Sequence, residues 1–351
     1  MARRRRLKTV LEDANRDLIS ELPIEVKDRI LECLPTRDAA RMALLSRHWN
    51  DAWLQHGQLV FDSDFWCSAE QCYDDEEDIT LVNIINNILF LRAWPVKKFT
   101  LEIDSAYDPW PQQTDFDKWT IKQLIVRGSF INLPVNACDI FSNVTSLEFL
   151  HVEFKRGVNG IASSISIPKL EKLAFKLCSG VNKFEISTPK LEILYVIHSM
   201  DDVVDSRWLA PHFKAIKTLW LCDSSLECMD TSMFPTAINL QVMMLYGLNF
   251  CCRKQLAVVM QFLKKCPNLC ELRISTDEFG SEDDKEDASR LLEDPDSFFV
   301  IHELKMLNTI KIKSYRESTL ELIFIIMFLS KSPALERFIV KFWGTNAPVV
   351  R

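Results

Sequence analysis

The sequence predicts an α/β protein: a short helical module at the N-terminus, then a degenerate solenoid in which a parallel strand ladder carries helices and loops on its outer side. Three observations predict it. Residues 18–54 crowd fourteen large apolar side chains between proline-marked breaks. From residue 96 onward an apolar-x-x-apolar-x-apolar pattern recurs ten times. Several copies share a Pro-x-Leu entry, as in Ile167-Pro168-Lys169-Leu170-Glu171 and Thr188-Pro189-Lys190-Leu191-Glu192.

The N-terminal module reads as three short helices. Pro23 suits a first helical position, and Val26, Ile30, Leu31 and Leu34 recur at helical spacing until Pro35 stops the run. A second helix starts near Thr36 or Arg37 and carries Ala40, Leu44 and Leu45. A third begins at Ser46, with Trp49 and Trp53 on one face. Leu22-Pro23 forms a rigid apolar turn at the entrance. A segment of about 40 residues is close to the size at which a core alone no longer suffices. Cys33 is its single cysteine and it has no metal-ligand set, so part of its apolar surface must be covered by something else.

The run Leu22-Pro23-x-Glu25, Ile30-Leu31-x-x-Leu34-Pro35, Arg37-Asp38-Ala39-Ala40-Arg41 and Leu44-Leu45-Ser46-Arg47-x-Trp49-x-x-x-Trp53 resembles an F-box of the plant type. That resemblance implies docking on a Skp-family adaptor and, through it, on the cullin scaffold of a ubiquitin ligase. The implied adaptor-binding residues are Leu22, Pro23, Val26, Ile30, Leu31, Leu34, Leu44, Leu45 and Trp49. For Trp49 and Trp53 a second reading stands beside it, in which they pack the module against the repeats.

The repeats are Val96/Phe99/Leu101, Ile121/Leu124/Val126, Leu147/Leu150/Val152, Leu170/Leu173/Phe175, Leu191/Leu194/Val196, Ile216/Leu219/Leu221, Leu240/Met243/Leu245, Leu269/Leu272/Ile274, Leu307/Ile310/Ile312 and Leu335/Phe338/Val340. Their spacing runs from 21 residues (Leu170 to Leu191) to 38 (Leu269 to Leu307), which brackets the leucine-rich-repeat period. The last two apolar positions lie two apart and face one side of a strand. One such unit cannot bury its own face, but stacked units form a continuous core. Leu256 to Lys265 reads as a helix, and Ser318-Thr319-Leu320-Glu321 as a capping box that opens another, ending near Ser332-Pro333. Residues 281–287 form an acidic insertion, read first as a solvated loop and second as a site for a basic partner. The stretch from Leu307 to Val340 resembles the FBD region that ends many plant F-box proteins, with Glu317 where a glycine is usual. The organisation expected is a basic, disordered start (1–14), F-box (15–55), linker with first strand and helix (56–95), leucine-rich repeats (96–300) and FBD-like repeats (301–345).

Between the two core positions of each strand, one residue points away from the core. These form a column: Thr100, Ile125, His151, Ala174, Tyr195, Trp220, Met244, Arg273, Lys311 and Ile339. Tyr195, Trp220 and Met244 sit side by side, with Tyr246 at the next outward position, and resemble binding anchors. With Arg273 they are the candidate substrate-binding residues. A covering loop, or a register off by one, would instead bury them. Lys311, Lys313, Arg337 and Lys341 follow Arg273 as a basic end suited to an acidic or phosphorylated partner, or simply as solvated charge.

Composition narrows the function. Residues 1–60 carry eleven Lys/Arg and nine Asp/Glu, so with a net charge of −7 overall the remainder is near −9, which argues against nucleic-acid binding by the repeats. The start Met-Ala-Arg-Arg-Arg-Arg lacks the apolar run of a secretion signal, so the eleven cysteines read as free thiols in a reducing compartment. Arg3 to Arg6 serve equally as a nuclear import signal or a solvated end. Asn143-Val144-Thr145 is a sequon that a non-secreted chain would not use. Cysteine and histidine spacings match no zinc pattern, and the ten-residue apolar run Leu320–Leu329 is too short to span a bilayer. There is no Gly-rich phosphate loop, GxSxG or HExxH. The chain is therefore expected to be a non-catalytic, cofactor-free substrate-recognition subunit of an SCF-type cullin-RING ubiquitin ligase in the nucleus and/or cytoplasm. Its repeats would hold a protein target. The alternative is a leucine-rich-repeat interaction scaffold without a ligase role, and whether a small molecule co-binds the solenoid is left open.

Overall fold

The computed structural model describes residues 17–62, 64–65, 85, 87–89, 91–92, 94, 96–103, 121–128, 130–131, 143–154, 163–180, 184–197, 209–276, 301–315, 318–342 and 349–350. The basic head, the acidic insertion and Glu317 lie outside them. The chain divides into two compact units, Met1–Glu102 with Gln113–Lys122 and Ile103–Gln112 with Gln123–Arg351.

The first unit opens with three helices, α1 (Ile24–Glu32), α2 (Thr36–Met42) and α3 (Arg47–Gln55). Each start has a local cause. Pro23 and Pro35 are held at φ near −55° and ψ near 150°, outside helical space, so α1 and α2 begin one residue later. Ser46 caps α3 by accepting from the Trp49 amide at 3.3 Å. Leu44 and Leu45 differ from expectation. Helix α2 stops at Met42 because Ser46 must be extended (φ −164°) to cap α3, so the two leucines fall in the turn between helices. Two strands follow, β1 (Gln58–Phe61) and β2 (Lys98–Ile103), paired parallel from Gln58↔Lys98 to Phe61↔Leu101. The Val60 amide donates to the Thr36 hydroxyl at 2.8 Å, tying β1 to α2.

The second unit is a ladder. Its strands are β3 (Gln123–Gly128), β4 (Ser146–Leu150), β5 (Lys172–Lys176), β6 (Ile193–Ile197), β7 (Thr218–Cys222), β8 (Val242–Leu248), β9 (Glu271–Thr276), β10 (Thr309–Tyr315) and β11 (Arg337–Phe342), each parallel to the next, with the register shifting after Tyr246 on β8 and after Lys313 on β10. A short β12 (Val349–Val350) pairs antiparallel with β11. Two small parallel pairs, Phe130–Ile131 with Glu153–Phe154 and Ser163–Ser166 with Phe184–Ser187, accompany the ladder.

The repeated entry sequence explains the regular stacking. In Ile167-Pro168-Lys169-Leu170 the Leu170 amide donates to the Ile167 carbonyl at 3.2 Å, a four-residue turn with Pro at its second position. The same bond closes at Leu191 to Thr188, Leu269 to Cys266 and Leu335 to Ser332. From β5 to β11, the first amide of the strand and the amide before it donate to one carbonyl at the preceding strand's entry: Glu171 and Lys172 to Thr145, Glu192 and Ile193 to Glu171, and so on to Glu336 and Arg337 to Asn308. These bonds fix each of those strands to the last at its start. Alternation then decides burial. Leu173 and Phe175, Leu194 and Val196, Leu219 and Leu221, and Leu272 and Ile274 are all enclosed, as the repeat template predicts.

The third repeat is shifted from its expected place. Val144, Leu147 and Phe149 are its buried residues, not Leu147, Leu150 and Val152 as a unit. Leu147 pairs with Leu124 and Leu173, which fixes the register. His151 therefore leaves the outward column, at φ +55° just after β4, and Glu148 takes its position.

Helices α4 (Asp223–Cys228), α5 (Arg253–Lys265) and α6 (Thr319–Lys331) fill longer connections, α5 and α6 near the expected bounds. The Ser318/Glu321 capping box forms in both directions. Among the described residues no helix is long and apolar enough to cross a membrane, and no cluster of His, Cys, Asp or Glu could hold a metal.

Candidate protein-interaction sites

The helical module spends its tryptophans internally. Trp49 and Leu31 are enclosed with Ala39, Ala52 and Trp53 in the module's own core. The Lys27 ammonium lies 5.8 Å from the Trp49 ring centroid and donates to the Ser20 carbonyl at 2.7 Å. The Ser20 and Ser46 hydroxyls are 2.7 Å apart. At the other end buried His56 meets Asp28 at 2.6 Å, and the Arg92 guanidinium stacks 4.4 Å from the Trp53 centroid while donating to the His56 carbonyl. Burial pulls the Arg92 pKa down to about 10. Trp53 thus packs inside this unit, and neither tryptophan is free for a partner.

With the core filled, a set of large apolar side chains stays outside it. Leu44 is 86% exposed, Leu18 66%, Leu45 62% and Ile19 59%, with Ile24 and Val26 near 40% (40% and 42%). Pro23 is exposed and Leu22, Ile30 and Leu34 are half-buried. Of the nine residues expected at the adaptor contact, seven are thus at least partly open, while Leu31 and Trp49 serve the core. Leu18, Ile19 and Ile24 belong to the same exposed set and were missing from the sequence-based list. Their signal was the apolar excess itself, since the helical periodicity in the sequence starts only at Val26.

The second candidate surface is the outward column of the ladder, now Ile125, Glu148, Ala174, Tyr195, Trp220, Met244, Arg273, Lys311 and Ile339, paired strand to strand in that order. Thr100, the column's expected first member, is buried on β2, and Ile125, at 8% exposed, is buried too. Tyr195 and Trp220 are half-buried with ring centroids 4.4 Å apart, and the Lys172 ammonium is 5.2 Å from the Tyr195 centroid. Desolvation raises the Tyr195 pKa, against the opposing pull of Arg273. Met244 is 8% exposed and Ala174 enclosed, so the expected aromatic-methionine trio presents mainly its two rings. Tyr246 is half-buried.

Past the rings the face becomes ionic. Arg273 grips Glu271 in a fork, Nε at 2.9 Å and Nη2 at 3.1 Å, and the Lys311 ammonium reaches the same carboxylate at 2.5 Å. The Arg273 hydrogen bonds foremost, with Lys311 second among the lowering causes, hold the Glu271 carboxyl down to about 2 against its own desolvation. Farther upstream on the same face, Lys176 pairs with Glu148 at 2.6 Å.

Comparison with known proteins agrees with both halves. The F-box domain model matches residues 19–59. The Arabidopsis thaliana F-box/FBD/LRR-repeat protein At1g13570 is 25% identical over 91% of this chain and 90% of its own length. The putative FBD-associated F-box protein At1g05080 of the same plant is 26% identical over 62% of this chain and 56% of its own, and the F-box/LRR-repeat protein At4g14103 is 27% identical over 52% and 42%. The chain thus carries a segment that matches the F-box domain and is similar over 91% of its length to a plant F-box/FBD/LRR-repeat protein.

Proposed function

We propose that the chain is a substrate receptor of an SCF-type ubiquitin ligase: the F-box docks on a Skp-family adaptor, the ladder holds a target protein, and ubiquitin transfer takes place on other subunits. The observation that carries this reading is the exposed apolar set around Leu18, Ile19, Ile24, Val26, Leu44 and Leu45, left over by a module whose own core is full. So many exposed apolar side chains on so small a module favour a protein partner. The chain's contribution is proximity, since holding target and transfer machinery together raises their effective concentration.

Co-purification with a Skp-family adaptor tests the reading. The unaltered chain should retain adaptor, and Leu44→Asp with Leu45→Asp should reduce retention at least tenfold while the melting temperature stays within a few degrees. Equal retention by both proteins, or none by either, would leave the interaction-scaffold alternative.

A further inference from the structure

Strands β9, β10 and β11 present one acid and five bases on their outward face. In register, Glu271, Thr309 and Arg337 form one row, Arg273, Lys311 and Ile339 the next, and Ser275, Lys313 and Lys341 the third. Glu271 is already shared by Arg273 and Lys311. Among the described residues Lys313 and Lys341 have no acidic partner, although they occupy directly paired positions on neighbouring strands. Among the described residues the Arg337 guanidinium makes only neutral contacts, to the Thr309 hydroxyl at 3.3 Å and 3.2 Å. Like charges raised side by side work against the ladder, and an external anion would relieve them. Glu271 shows what suits the site, because its carboxylate is seated between bases of this same face.

The rings give the second half of the footprint. Trp220 on β7 stands three strand steps from Lys311 on β10 and four from β11. At about 4.8 Å per step that is roughly 14–19 Å. An extended chain advancing about 3.4 Å per residue covers it in roughly four to six residues.

Resting on the receptor reading above, we infer that the ladder recognises an extended acidic segment of its target, with a large apolar side chain on the Tyr195–Trp220 pair and carboxylates roughly four to six residues away over Lys313, Lys341 and Arg337. Carboxylates give the segment its charge complementarity, and the ring pair gives it its register.

The test pans a random twelve-residue peptide library on the full chain and on its Lys313→Glu, Lys341→Glu variant, with melting temperature recorded for both. The unaltered chain should enrich peptides carrying Asp or Glu four to six positions from a large apolar residue, at least tenfold over the input. The variant should lose that enrichment with its melting temperature essentially unchanged. Peptides without acidic enrichment, or the same enrichment on both proteins, would overturn the inference. Adaptor retention measured on the same preparations separates the two readings. Its loss in the unaltered chain defeats the receptor reading, whereas intact retention without acidic selection defeats the acidic-segment inference alone.

Discussion

Glu271 concentrates the electrostatics of the ladder face into one side chain. Its folded pKa lies near 2, below the ordinary 4.5, because Arg273 and then Lys311 favour the charged form. A carboxyl depressed on folding adds stability above its unfolded pKa and loses it as pH falls toward the folded value. Thermal melts of the unaltered chain and of Glu271→Gln should therefore differ most at pH 5 and above, with the gap closing between about pH 4.5 and pH 2. A gap independent of pH across that window would mean that the three charges do not interact as described. The residue scale also separates what sequence could and could not reveal. Tyr195 and Trp220 were legible as outward neighbours because the core template has a period of two. Trp49 was not legible as core, since an aromatic at helical spacing fits an inward or an outward face equally.

At the scale of elements, boundaries follow from caps and turns. Pro23, Pro35 and Ser46 place three helices within 32 residues, from Ile24 to Gln55, and the extended backbone of Ser46 turns Leu44 and Leu45 outward. Sequence periodicity assigned those leucines to a helix face because it sees spacing and not the conformation a cap demands. The shifted third repeat has a similar origin. Leu147 belongs to two overlapping fits of one template, and the choice between them is made by pairing with Leu124 and Leu173, contacts distant in sequence. The Ser318 capping box was legible and formed, with the Glu321 amide donating to the Ser318 hydroxyl at 3.2 Å and the Ser318 amide donating to the Glu321 carboxylate at 3.0 Å. Replacing Ser318 with Ala should cost about 1 kcal/mol, read as a lower midpoint in denaturant unfolding. An unchanged midpoint would show that packing of Leu320, Phe324 and Phe328 alone sets the start of α6.

For the whole molecule, the two units divide the labour that the receptor reading requires. The ladder builds its own core from each repeat's paired inward residues and leaves Tyr195, Trp220, Arg273 and Lys311 partly open on its outward face. The helical module fills its core with Leu31, Trp49 and Trp53 and keeps Leu18, Ile19, Leu44 and Leu45 outside it. Fold class and repeat number were legible because stacking leaves a periodic trace in sequence. The composition of each surface was less so, because exposure depends on which apolar residues the core has already claimed. The most direct measurement is amide hydrogen exchange of the full chain with and without a purified Skp-family adaptor. Added protection should fall on residues 18–26 and 43–46 and leave the ladder strands unchanged. Protection confined to the ladder, or absent throughout, would contradict the assignment of the exposed helical surface to the adaptor.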